Sequence, residues 1–338
     1  MNSKPLVSIC IPTYNRASMV GKAIESALCQ TYRNIEVIVV DNASTDNIEE
    51  VVGTFDDPRL RLIKNGENLG LFGNFNRCID LYSGSYLHIL HSDDYIDSDF
   101  TEKCVAFFEE NPNVYLTCTS SRTFSDMDFT EIKCGSENFI LKAPDGFRKL
   151  LSERSFISCP SVMVRKGLYD KIGKFSLEYP YSSDYYQWLR VSRFYDIGYI
   201  SDAWINYRVG DHSESYRLLF KTPLGYMDAL KIHMVVIGEL GGEIDDYYSE
   251  INQSLKRFIG DCIYAGFMRS DKMDNFRPEV FVGLALCANF MVNSGNNLKV
   301  VIFKQIRVII LGTIYILIQI PYLKILFSKV FSNKRKLY

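Results

Sequence analysis

Residues 35–46, IEVIVVDNASTD, and residues 86–94, YLHILHSDD, decide how this chain is read. Each is a short apolar run that ends abruptly in aspartate. Such a run, rich in Val and Ile and bounded by turn residues, is the pattern of a strand buried on both faces. Outward from these two stretches, predicted strands at 6–11, 35–41, 59–64 and 85–91 alternate with predicted helices at 18–30, 46–55, 71–81 and 99–110. Val20, Ile24, Ala27 and Leu28 form one stripe of the first helix, and Asn111-Pro112 stops the last. The alternation predicts an α/β fold with a doubly wound, mainly parallel sheet. Ligands of such sheets bind beyond the carboxyl ends of the strands. Two acidic strand ends in one crevice point to a nucleotide site in which a divalent metal neutralises phosphates. They imply an enzyme acting on an activated, phosphate-bearing small molecule.

Farther along, 114–123 reads as a strand among mixed neighbours, 183–194 as a helix and 198–209 as a strand pair. From about Leu218 the chain reads as helical. With 338 residues it has enough length for more than one domain, and its formal net charge of −2 gives no reason to expect nucleic-acid binding. Nine cysteines at 10, 29, 78, 104, 118, 134, 159, 262 and 287 form no C-x-x-C. They read as reduced thiols of a cytoplasmic protein rather than as disulfides or a zinc site. The first strand begins within ten residues of the start, so no leader peptide is expected.

Charge and hydropathy shift near the end. After Glu279 there is no acidic residue, while Lys299, Lys304, Arg307, Lys324, Lys329, Lys334, Arg335 and Lys336 are all basic. The stretch 308–327 is almost wholly apolar but contains Gln319, Pro321 and Lys324. A spanning helix needs about 20 clean apolar residues. The pattern fits better a helix lying in the interface of an anionic leaflet. The plainer alternative is a core helix with a basic fringe.

Glycine patterns exclude two common nucleotide sites. No G-x-G-x-x-G comes after the first strand, and there is no G-x-x-x-x-G-K-[ST]. The first strand leads instead into Pro12-Thr13-Tyr14-Asn15-Arg16. Pro12 is expected to end the ladder. Tyr14 offers a flat ring for a base, or is an ordinary loop aromatic.

The stretch 7–46, VSICIPTYNRASMVGKAIESALCQTYRNIEVIVVDNASTD, resembles the opening of family 2 glycosyltransferases. NGENLG (65–70), HSDD (91–94), SSDYYQWLR (182–190) and YRVGDHSES (207–215) come next, in the family's order. The resemblance covers about residues 5–215. It implies the GT-A fold, a Rossmann-like, mainly parallel mixed sheet, over 1–215. Residues 1–110 would form the nucleotide-binding half and 111–215 the acceptor half. The helical region, 216–338, would come last, with 299–336 its basic, apolar, membrane-associating part.

The resemblance also assigns roles. Pro12, Thr13, Tyr14, Asn15, Asp41, Asn68, Asp93 and Arg208 would bind the nucleotide-sugar, with Asp41 accepting the base N–H. A turn-capping role is the alternative for Asp41. Arg208 would meet the diphosphate, or pair with an acid. Asp93, Asp94 and His212 would hold Mn²⁺ or Mg²⁺. His91 stands where the family often has Asp, and is either a ligand or a group behind the ligands. Asp184 matches the catalytic base, although the preceding acid of the family is Ser183 here. A helix cap is its plain alternative. Asp is a weak base near pKa ~3.9. A further departure is Asn74-Phe75-Asn76, where relatives carry an arginine for the nucleotide and Arg77 is offset by two positions.

Together these features imply a transfer, with inversion, of a sugar from a nucleotide-diphosphate sugar to a glycan hydroxyl. The acceptor would be linked to a polyprenyl diphosphate, in assembly of a bacterial surface polysaccharide such as O-antigen or capsule. The enzyme would sit peripherally on the inner face of the cytoplasmic membrane. A sugar nucleotidyltransferase is disfavoured by the missing glycine-rich, Lys-containing loop. A catalytically inactive sugar-nucleotide-binding scaffold is disfavoured by Asp93, Asp94 and Asp184.

Overall fold

The computed structural model describes residues 4–125, 128–153, 155–210, 224–268 and 283. The chain divides into two compact units, Met1–Tyr216 and Arg217–Tyr338. The first unit opens with β1 (Val7–Thr13), α1 (Ala17–Leu28), β2 (Ile35–Asp41), α2 (Ile48–Gly53), β3 (Leu60–Lys64) and α3 (Leu71–Leu81). Then come β4 (Tyr86–Ile89), a two-residue β5 (Tyr95–Ile96) and α4 (Phe100–Glu110). Its later half holds β6 (Val114–Phe124), β7 (Phe129–Ile132), β8 (Phe139–Leu141), α5 (Asp145–Ser152) and a 3-10 turn at Cys159–Ser161. It closes with β9 (Met163–Arg165), α6 (Leu168–Ile172), α7 (Ser183–Phe194) and β10 (Asp196–Arg208).

The strands form one mixed sheet in the order β3-β2-β1-β4-β9-β6-β10-β5, with β7 on β6 and β8 on β10. From β3 to β4 every pairing is parallel. The β9 strand turns antiparallel to both β4 and β6, and β10 runs parallel to β6. Both faces of β1 are buried, which is why its sequence is a continuous apolar run rather than an alternation. Val7, Ile9 and Ile11 pack with Val20, Ile24 and Ala27 of α1 and with Val37 and Val39 of β2. Each such aliphatic side chain contributes about 1.5–3 kcal/mol by leaving water.

Two expectations are corrected. The β1 strand does not stop at Pro12 but runs on to Thr13, with Pro12 beside Val40 of β2. The pairing of β1 with β4 ends at Cys10 and Ile89, so beyond that point β1 has a partner on one side only. A missing N–H is tolerated there. The region 198–209 is one strand, not a pair. A register shift between Ile200 and Trp204 absorbs its polar interruption as an irregularity in the β6 pairing. The strand therefore carries Arg208 across the sheet to the acidic edge.

In the second unit, α8 (Leu224–Leu240) leads through a 3-10 stretch (Gly241–Tyr247) into α9 (Tyr248–Met268). The two helices share a hydrogen bond between His233 Nε2 and Ser254 Oγ at 2.8 Å. No helix among the described residues is long and apolar enough to cross a membrane. The basic, apolar stretch 299–336 lies outside the described residues. The described cysteines are free thiols, with Cys10, Cys78, Cys104, Cys118 and Cys262 buried.

Gly198 shows how closely β10 meets α4. A Cβ there would lie 2.3 Å from Cε1 of Phe107. Gly198→Ala should lower unfolding free energy by about 1–3 kcal/mol, the usual range for overpacking. Gly53→Ala, with nothing within 4 Å of the added Cβ, should change it by less than about 0.5 kcal/mol. Denaturant midpoints of the two variants check this, and equal midpoints would contradict the packing.

Candidate active site

Parallel register brings the strand ends to one edge. Thr13 of β1 lies beside Asp41 of β2, and Asp41 beside Lys64 of β3. Backbone bonds continue past the ladders: Asn42 N–H to Thr13 O at 2.9 Å, Asn65 N–H to Asp41 O at 2.8 Å, and Leu90 N–H to Cys10 O at 2.9 Å. The loops after β1, β2, β3 and β4 therefore share one crevice edge.

Asp41 is 0% exposed. Its Oδ1 accepts the Ser44 N–H at 3.0 Å, the turn-capping role. Its Oδ2 is buried with no hydrogen-bond partner among the described residues. One oxygen thus shapes the turn while the other awaits a donor. The Thr13 hydroxyl is orphaned in the same way. Asn15 and Ala43 both hold positive φ, 51° and 60°. Left-handed backbone costs non-glycine residues roughly 1–2 kcal/mol and persists where surroundings enforce it. Here the two loops are cross-linked, Asn15 N–H to Ser44 Oγ at 2.9 Å and Thr45 N–H to Asn15 Oδ1 at 2.8 Å. Tyr14 sits on this loop and is 44% exposed.

Asn68 lies in the loop before α3, and its amide oxygen is used within the protein. Its Oδ1 accepts from Asn42 Nδ2 and from Gly70 N–H, both at 2.8 Å. Asn42 Oδ1 accepts from Asn65 Nδ2 and Leu69 N–H, and Asn74 Nδ2 reaches Val40 O at 3.0 Å. These amides fix the loop before α3. Asn76 pairs doubly with the backbone of Phe175, and Phe75 puts its ring 5.4 Å from His91. The triplet Asn74-Phe75-Asn76 is packing and loop support, while Arg77 lines an open groove with Lys64, Asn65, Gly66, Glu67 and Leu69.

The acidic cluster lies after β4. One ligand atom each from His91, Asp93 and Asp94 falls within 4.8 Å of the others. Asp94 is 1% exposed, and burial, then the charge of Asp93, push its pKa well above the usual carboxylate range. Its Oδ1 accepts the Arg208 backbone N–H at 2.8 Å. Its Oδ2 lies 3.5 Å from His91 Nδ1 but has no hydrogen-bond partner among the described residues. The Nε2 of His91 is orphaned likewise. Burial holds the His91 pKa down at about 4, so the ring is neutral at physiological pH and keeps a lone pair. Arg208 donates from Nε to the Asp93 carbonyl at 3.3 Å and stacks its guanidinium on Phe124 at 4.6 Å. Arg16 Nη1 meets Asp93 Oδ2 at 2.7 Å. Orphaned, buried oxygen and imidazole donors fit a hard divalent cation. His212 lies outside the described residues.

Asp184 stands in the first turn of α7. Its Oδ1 accepts the Tyr185 N–H at 2.8 Å. Burial nonetheless raises its pKa to about 6. The Cys159 thiol, in the 3-10 turn, lies in the electrostatic field of both Asp184 and Asp94. Both carboxylates, after β4 and on α7, therefore lie within electrostatic reach of the Cys159 turn.

Residues 8–173 match the sequence profile of Glycosyl transferase family 2. This chain is a family 2 glycosyltransferase. Over 229 residues, 64% of this chain and 69% of the relative, it is 28% identical to an uncharacterized glycosyltransferase of Haemophilus influenzae. It is 28% identical over 62% of its length, and 79% of the relative's, to WfgD of Escherichia coli, named a UDP-Glc:alpha-D-GlcNAc-diphosphoundecaprenol beta-1,3-glucosyltransferase. The solved structure of S. aureus TarS in complex with UDP-GlcNAc superposes with a TM-score of 0.66 at 17% identity, covering 85% of this chain and 81% of that one. That likeness is one of fold, the GT-A arrangement.

Sequence reading of this glycosyltransferase missed Arg16 and Cys159. Arg16 left a signal: it is a cation at the N-cap of α1, where the helix end is already positive. Asp46, 29 positions along the chain, supplies the capping oxygen instead, accepting the Ala17 N–H at 2.8 Å.

The raised pKa of Asp184 has a signature in stability. Between about pH 4 and 6 the folded carboxyl keeps a proton that the unfolded chain releases, so its contribution falls as pH rises through that window. Asp184→Asn keeps an oxygen for the Tyr185 N–H and does not titrate. Its melting temperature should gain on the wild type from pH 4 to 6 and hold the gain above. Parallel curves across pH 4–8 would show an ordinary surface carboxylate.

Proposed function

We propose that this enzyme transfers a sugar, with inversion, from a nucleotide-diphosphate sugar to a hydroxyl of a glycan linked to a polyprenyl diphosphate. The setting is assembly of a bacterial surface polysaccharide, O-antigen or capsule. The reading is carried by one observation, the orphaned buried donors on Asp94 and His91 beside Asp93; Asp184, with its raised pKa, is within electrostatic reach of the same Cys159 turn as Asp94.

Asp41 Oδ2 and the Thr13 hydroxyl, both without a partner among the described residues, would meet the donor's base and ribose beside the Asn15 and Tyr14 loop. Pro12 shapes the strand end beneath them. His91, Asp93 and Asp94 would hold Mn²⁺ or Mg²⁺, with His212, outside the described residues, the further ligand that the family resemblance implies. When bound, the cation stabilises negative charge on the departing nucleoside diphosphate. Arg208 adds a cation to the same side. Asp184 takes the proton from the acceptor hydroxyl. A base with a pKa of about 6 is far better matched to neutral pH than an ordinary aspartate. The lipid-linked acceptor is suggested by the names of the Escherichia coli relatives WfaP and WfgD, and the basic tail suits an anionic leaflet.

If Asp184 is the base, Asp184→Asn should depress kcat by about 10²-fold or more while donor Kd stays within a few-fold. Unchanged kcat would reduce Asp184 to a helix-end residue. EDTA should abolish transfer and Mn²⁺ restore it. Full activity in EDTA would remove the metal from the account.

The tail has its own test. Eight basic residues near an anionic surface contribute about 1 kcal/mol each where they reach it. The full chain should sediment with vesicles containing phosphatidylglycerol, with only partial release in high salt. No sedimentation would leave 308–327 as a core helix.

A further inference from the structure

Arg16 is unusual in where its charge is spent. It occupies the N-cap of α1 without making a capping bond. A cation at a helix N-terminus opposes the dipole, and a polar uncharged or acidic residue would be favoured. Asp46 has taken over the capping. The guanidinium is directed instead at Asp93, Nη1 to Oδ2 at 2.7 Å, with the two side chains only 18% and 14% exposed. Asp93 in turn lies in one cluster with His91 and Asp94, one ligand atom of each within 4.8 Å of the others. One monovalent cation is thus already seated on a member of the candidate metal cluster.

That arrangement has a physical consequence. Two adjacent carboxylates at a buried strand end repel unless a cation compensates them. Without a metal, Arg16 compensates. A divalent cation arriving on Asp93 and Asp94 meets a guanidinium already against Asp93, and the two positive charges repel. A donor diphosphate entering the crevice offers that guanidinium a better anion, since arginine bonds phosphate oxygens well. Any ligand that draws Arg16 off Asp93 therefore favours the metal, and the metal favours that ligand equally.

We propose that Arg16 is a built-in counter-cation that competes with the divalent metal for Asp93 and passes to the donor's diphosphate when both bind, coupling metal and nucleotide affinity. This rests on the donor and metal reading given above. Arg16 is then a positioning residue that delays tight metal binding until a nucleotide is present.

Calorimetric titration of the full chain with Mn²⁺, alone and with saturating UDP, dTDP or GDP, tests it. Arg16→Gln should bind Mn²⁺ alone at least about 5-fold more tightly than wild type. The factor by which the best nucleotide raises Mn²⁺ affinity should be at least about 5-fold smaller in Arg16→Gln, near the lower end of common coupling strengths. Arg16→Lys keeps the charge and should stay near wild type for Mn²⁺ alone; behaviour like Arg16→Gln would overturn the charge argument. Circular dichroism melts confirm that each variant is folded. Equal Mn²⁺ affinity in wild type and Arg16→Gln, both still showing Mn²⁺-dependent transfer, overturns the Arg16 role and leaves the metal reading standing. No Mn²⁺ binding by either protein, with or without nucleotide, overturns both. No nucleotide enhancement in wild type overturns the coupling.

Discussion

Burying a carboxylate is expensive, and the edge of this sheet does it repeatedly. Asp41 and Asp94 are almost completely withdrawn from water, and Asp93 nearly so. A desolvated charge must be met by hydrogen bonds or by opposite charge. Much of the local architecture answers that demand. The Ser44 N–H meets Asp41, the Arg208 N–H at the end of β10 meets Asp94, and the Arg16 guanidinium meets Asp93. The demand is left partly unanswered at Asp41 Oδ2, Asp94 Oδ2 and His91 Nε2, where no described residue donates or pairs by hydrogen bond. Those gaps, gathered at one edge of the sheet, are what a nucleotide and a cation would fill.

The parallel half of the sheet was legible in sequence because both its faces are covered. Full burial writes strands as unbroken apolar runs, and the acids that end them are conspicuous. For β2 and α3 the expected and observed bounds coincide, and for β1, α1 and β4 they differ by a few residues at the ends. The later half was not so plain. Strands β7, β8 and β9 are only three or four residues long, too short for periodicity to register. The β10 strand carries a polar stretch in mid-course that sequence alone cannot tell from a turn. It became a bulge because its flanks each pair with β6 in different registers.

At the site, residue identity was legible and environment was not. Asp184 could be singled out by the family pattern, but its pKa is set by burial, which belongs to tertiary structure. Asn68 is assigned to the ligand through the family resemblance. In the folded chain its oxygen is consumed by Asn42 and Gly70. Asp46 reads as the start of the next helix, yet it caps α1. Each of these outcomes depends on distance across the sheet edge, which spacing along the chain does not encode.

The central claim is that the orphaned donors after β4 form a cation site shared with a nucleotide. Anomalous diffraction at the manganese edge, from crystals grown with Mn²⁺ and a nucleoside diphosphate, tests it most directly. The account predicts an anomalous peak within about 2.5 Å of an Asp94 oxygen and of a second donor from His91 or Asp93, the coordination range of hard cations, with diphosphate oxygens on its other side. A peak elsewhere, or an ordered nucleotide at this edge with no metal beside Asp94, would contradict it.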